Sequence, residues 1–129
     1  MKLVKIKKLS DEELNKEIAL ITGKYTEPFG RPPRHKNIPF KDVLHGWSIS
    51  KLTGFRHEFV EIPNWAGDLN LIHKLEKNLL DVRIPRLNET RYMLNLSIVK
   101  NCDIAFIYDA TAQERAEAIV LSFHENNTY

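Results

Sequence analysis

Two capping boxes, one near each end of the chain, fix where helices begin. Residues 10–13 read SDEE, so the Ser10 hydroxyl is placed to accept from the Glu13 N–H while the Glu13 carboxylate reaches back to Ser10. Residues 111–114 read TAQE and repeat the device with Thr111 and Glu114. Behind the first box, Asp11, Glu12 and Glu13 suit the positive end of a helix dipole. Leu9 and Leu14 are spaced for a hydrophobic staple, Leu14, Ile18 and Ile21 share a face, and Gly23 supplies a stop. Behind the second, Ala112, Ala116, Ile119, Val120 and Phe123 form an inward face on an alanine-rich helix that can lie close against a sheet.

A third helix is expected in residues 63–80, with Asn64 as its cap, or Asp68 if Gly67 delays the start. Trp65, Leu69, Ile72, Leu75 or Leu79, and Leu80 make its apolar stripe, leaving Lys74, Glu76 and Lys77 to water. Between this helix and the last, Tyr92, Leu94, Leu96 and Ile98 alternate with Arg91, Met93, Asn95 and Ser97, the period of a half-buried strand. Residues 102–108 are apolar on nearly both faces, and the two segments read as an antiparallel hairpin turning at Lys100 and Asn101. A second, shorter hairpin is expected from GWSISKL (46–52) and FRHEFVEI (55–62), with Thr53 and Gly54 between them. Pro28, Pro32, Pro33 and Pro39 leave residues 24–40 as an extended, irregular, basic connector. The expected fold is therefore α+β: one compact domain over residues 1–129, with a small, mainly antiparallel sheet and helices packed on it in an α-β-α sandwich-like arrangement.

With 129 residues, 43% hydrophobic and 28% charged, the chain can build one core. No apolar run approaches the roughly 20 residues of a membrane span, and the basic start lacks the apolar stretch of a secretory leader, so a cytoplasmic protein without a membrane partner is expected. Cys102 stands alone, which excludes an intrachain disulfide and a cysteine-based zinc site and suits a buried apolar position. The five histidines show no metal-ligand spacing, although His35, His45 and His57 could converge in space. Phosphate-loop, dinucleotide and nucleophile-elbow motifs are missing. Ser48 and Ser50 near His45 and His57 do not make a triad by proximity, and Glu58, Glu61 and Asp68 read as surface charge and a cap. No cofactor, metal or catalytic residue is expected.

A net charge of +2 is too small to imply nucleic acid by itself, but the charges are uneven. In residues 25–65, Tyr25, Phe29, Phe40, Trp47, Phe55, Phe59 and Trp65 interleave with Arg31, Arg34, Lys36, Lys41, Lys51 and Arg56. Aromatic rings stack on bases and arginines fork onto phosphates, although a small domain also needs aromatics for its core.

The order of these pieces resembles the phage ABA sandwich domain family. The likeness runs over residues 10–124 and is carried by DEELNKEIALITG, an aromatic and proline-rich connector, NWAGDLNLIHKLEKNL, two strands and DATAQERAEAIVLSF. The family's Trp-containing strand has Tyr92 and Met93 here, and the connector is unusually long and basic. The resemblance implies helices on both faces of a small sheet, a phage origin and the cytoplasm of a host bacterium, and it transfers no catalytic residues. The family carries no settled activity, but a phage origin together with the aromatic and basic belt points to a non-enzymatic binding protein that sequesters an anionic, nucleotide-like ligand, such as a cyclic nucleotide, as a host-defence antagonist, in a pocket that can be shared across a homo-oligomer. The candidate contacts are Arg31, Arg34, His35, Lys36, Trp47, Arg56 and Trp65. The alternatives are a nucleic-acid-binding accessory protein and an inhibitor that binds a host protein.

Overall fold

A computed structural model describes residues 2–32, 42–81, 83 and 86–126. Helix α1 (Leu3–Lys7) was not foreseen, because five residues are too few to show a period. It buries Ile6 completely, and Lys7 Nζ donates to the Val99 carbonyl. Helix α2 (Asp11–Thr22) forms as expected: both bonds of the Ser10–Glu13 box are made, and Gly23 ends it at φ 73°. Strands β1 (Tyr25–Gly30), β2 (His45–Ile49) and β3 (Arg56–Glu61) form an antiparallel sheet in that order. A 3-10 turn (Trp65–Gly67) leads to helix α3 (Leu69–Leu79), which takes the late start with Asp68 accepting from the N–H groups of Asn70 and Leu71. Helix α4 (Glu89–Lys100), a second 3-10 helix (Ile104–Asp109) and helix α5 (Ala112–Asn126) complete the chain. The Thr111–Glu114 box opens α5 as expected.

The α+β class and the antiparallel sheet stand, but the sheet is built differently. Residues 91–108 are helical rather than a hairpin. Asn88 caps α4 by accepting from the Arg91 N–H at 2.9 Å, and Asn101 ends it in the left-handed region at φ 57°. Tyr92, Leu96 and Val99, spaced four and three apart, are buried, while Leu94 and Ile98 are 47% and 52% exposed. An alternating sequence that is apolar on both sides of a helix satisfies a strand's period equally well, and here the helix wins. Conversely, the start of the connector expected to be irregular is strand β1. Pro28 is tolerated because β1 is an edge strand, where one side of the backbone needs no partner.

Helix α5 runs through the middle of the core, with Ala116, Ala118, Ile119 and Val120 fully buried against residues such as Leu14, Ile18, Ile72 and Leu96. Helices α2 and α4 pack against it, and the sheet joins this body chiefly through β1 against α2. Gly46 of β2 marks a close approach within the sheet: a Cβ there would lie 2.6 Å from a Phe29 ring carbon and 3.0 Å from Ile62 Cδ1.

Glu76, expected to face water, is buried instead. Its carboxylate accepts from Tyr92 Oη, from Arg115 Nη1 at 2.9 Å and faces His73 Nδ1 at 3.0 Å. Arg115 also donates to the carbonyls of Ala110 and Tyr108. The network ties α3, α4, α5 and the second 3-10 helix together. Burial first, and then Glu76, raise the Tyr92 hydroxyl far above its ordinary range, so it stays a donor. Cys102 is half-buried at the edge of the core. Among the described residues, no helix is long and apolar enough to cross a membrane.

Candidate functional site

The register of the sheet sorts the aromatic and basic residues into two faces. Residues directly opposite on paired strands share a face, and neighbours along a strand alternate. Tyr25 opposite Ser48, and Gly46 opposite Val60, belong to the inner face that continues into buried Ile62 and receives Phe29. Thr26, Trp47 and Phe59 form one row of the outer face; Gly30, His45 and Glu61 form the next, and Ile49 with Arg56 a third.

Trp65 belongs with the inner set. It is 7% exposed, and its ring meets Tyr25 edge-on at 6.3 Å and 70°. This corrects its expected place among the ligand contacts: the 3-10 turn points the indole into the core, where its area is worth more than at the surface.

The outer face gathers what remains. His45 stacks on Phe59 with centroids 5.4 Å apart and planes at 29°, and Trp47 lies 5.5 Å from Phe59 at 52°. All three rings are half-buried, so each keeps surface toward solvent. Arg56 extends the same face, and Lys51 lies in the turn between β2 and β3; both are exposed. Among the described residues neither has a carboxylate partner, whereas the neighbouring His57 faces Glu58 at 3.3 Å. A bulge in β3 sets Arg56 on the outer face. The pairing slips by one residue between Trp47 and Ile49, and Ser48 Oγ fills the gap by accepting from the Glu58 N–H at 3.1 Å.

Arg31 is placed elsewhere and is already occupied. Its guanidinium forks onto Glu12, with Nη2 to Oε2 at 2.7 Å and Nη1 to Oε1 at 3.1 Å, and Nε donates to Asp42 Oδ1 at 2.7 Å. Hydrogen bonding from Arg31 holds Glu12 below the ordinary carboxylate range. The groove around this triad, about 260 Å³, is also lined by Asp11 and Glu61, so its charge repels an anion. Arg31 therefore clasps the base of the loop between β1 and β2 to α2, instead of offering free donors. Arg34, His35 and Lys36, together with Phe40 and Lys41, lie outside the described residues.

Of the expected contacts, then, Trp47 and Arg56 share a face, Trp65 is removed to the core and Arg31 to an ion triad. His45 and Phe59 join the site. Both were visible in the sequence, as a histidine and as one aromatic of the belt, but only the strand register links them to Trp47. Comparison with protein-family models, with curated proteins and with solved structures finds no match for this chain.

Proposed function

We propose that the protein is a non-enzymatic binding protein that captures an anionic, nucleotide-like ligand on the outer face of its sheet. The observation that carries this reading is the stacked group of His45, Phe59 and Trp47 with Arg56 in the adjoining row, a cation that has no carboxylate partner among the described residues. A base lies flat on such rings, and stacking tolerates any base because every base has a π-face. A phosphate beside it meets Arg56, whose planar fork matches its oxygens. Capture of this kind removes a ligand without turning it over, as a host-defence antagonist would.

The test is calorimetry and tryptophan fluorescence against a panel of nucleotides, cyclic nucleotides and a short single-stranded oligonucleotide. Trp47 is half-exposed and Trp65 is buried, so quenching on binding reports Trp47. Loss of one stacking ring in Trp47→Ala is expected to weaken binding roughly tenfold to a hundredfold. Arg56→Gln is expected to weaken it less and to flatten its salt dependence. Arg31→Gln is expected to leave affinity unchanged, because Arg31 is spent on Glu12 and Asp42. If no member of the panel binds the folded protein, or if Arg31→Gln abolishes binding while Trp47→Ala does not, the reading is wrong. Preference for the oligonucleotide over every mononucleotide would turn the reading to nucleic acid.

A further inference from the structure

The inner face of the sheet is filled at one end and open toward the other. Phe29 and Ile62 occupy the space above Gly46. Toward the row of Tyr25 and Ser48, a cavity of about 470 Å³ remains between the sheet and the end of α2, lined in part by Gly23, Lys24, Tyr25, Lys51 and Val60. That volume falls in the range of small-molecule sites, about 300–1,000 Å³. Gly23 leaves room beside it, since a Cβ there would meet nothing within 4 Å.

Two lysines stand at this cavity. The Ile49 N–H donates to the Lys24 carbonyl at 3.0 Å, which brings the chain leaving α2 to the same end of the sheet as Lys51. Neither ammonium pairs with a carboxylate among the described residues, and no acidic residue lines the cavity. Glu58, beside Ser48 in the sheet, faces His57 at 3.3 Å. Lys24 is not needed at the carbonyl end of α2, because Arg86 already donates to the carbonyls of Ile21 and Thr22. Ser50, also at the cavity, adds a donor. Its Oγ accepts from the N–H groups of Leu52 and Thr53, and no described group takes its own proton.

We propose that this cavity binds a small amphipathic carboxylate, such as a medium-chain fatty acid, with its apolar body against Tyr25 and Val60 and its head between Lys24, Lys51 and the Ser50 hydroxyl. The apolar walls reward burial of a hydrocarbon body. Two like charges at one cavity repel, and an anion between them relieves the repulsion. Ammonium groups hold a carboxylate as point charges and require no planar fork. The site does not depend on the outer-face reading, because Trp47 and Phe59 lie on the opposite side of the sheet.

Calorimetry and amide chemical-shift mapping with octanoate, octylamine, octanol and inorganic phosphate test this. Octanoate is expected to bind one per chain, with a Kd of about 0.1–1 mM, and to shift the amides of residues 23–25 and 48–51. Octylamine, octanol and inorganic phosphate are expected to bind at least about tenfold more weakly, each lacking the charge or the body. Lys24→Gln and Lys51→Gln are expected to weaken octanoate binding severalfold each and more than tenfold together, whereas Lys74→Gln, on exposed α3 surface, leaves it unchanged. Both lysines are exposed, so the variants are expected to keep the wild-type amide spectrum elsewhere. Octanoate that does not bind the folded protein into the millimolar range overturns the proposal. So do octanol binding as tight as octanoate, inorganic phosphate binding alone as tightly, shifts confined to the exposed side of α4, or a folded double lysine variant with the wild-type Kd.

Discussion

Glu76 shows how much a single side chain can hold when its partners come from distant parts of the chain. Its two oxygens meet Arg115, Tyr92 and His73, and Arg115 passes the connection on to the carbonyls that end the second 3-10 helix. Position 76 looked solvent-facing because Lys74 and Lys77 flank it and because the cation it pairs with lies 39 residues away. Removing one member of a buried pair strands the other charge, which costs more than the pair itself is worth. Glu76→Ala is therefore expected to destabilise the protein by about 3–5 kcal/mol. Glu76→Gln, which keeps an acceptor for Tyr92, is expected to cost less. Urea unfolding at neutral pH measures both. The double variant Glu76→Ala with Arg115→Met is expected to recover part of the loss, because it removes the stranded guanidinium along with its partner.

At the level of elements, the local signals and the outcome agree at most of the expected caps, although Asn64, named first for the third helix, makes no cap bond. Ser10–Glu13, Thr111–Glu114, Asp68 and Gly23 each mark an end that the fold respects, because the bonds they make close within a few residues. Agreement fails where periodicity had to decide alone. Residues 91–98 carry apolar groups at strand spacing and at helix spacing together, and the surplus set, Leu94 and Ile98, is the one left exposed. Asn88 and Asn101, the cap and the left-handed stop, were the local marks that separate the two readings. Asn88→Ala is accordingly expected to cost about 1 kcal/mol of stability in thermal or urea unfolding, the usual worth of an N-cap. A residue in a plain connector before a strand would show almost none of that loss. The candidate site divides in the same way. Trp47 and Arg56 were legible because a hairpin brings near neighbours onto one face. The burial of Trp65 and the neutralisation of Arg31 by Glu12 depend on contacts across 40 and 19 residues, which spacing does not encode.

The order of packing across the whole molecule keeps the outer sheet face apart from the exposed side of α4. The sheet lies against α2, α2 against α5, and α5 against α4, so the outer sheet face and the bare side of α4 are separated by the helical core. No described hydrogen bond or ion pair joins α4 to the sheet, and the elements between them are held by close packing and by the Glu76 network. Coupling between two sites requires an element with two arrangements that both sites bias. The outer sheet face is expected to bind one nucleotide-like ligand per chain with a hyperbolic isotherm. The Ile98→Glu variant, altered on the far side of the core, is expected to bind the same ligand with the wild-type Kd, and calorimetry on the two proteins checks this. A Kd that shifts in Ile98→Glu would mean that the core transmits strain between its two sides.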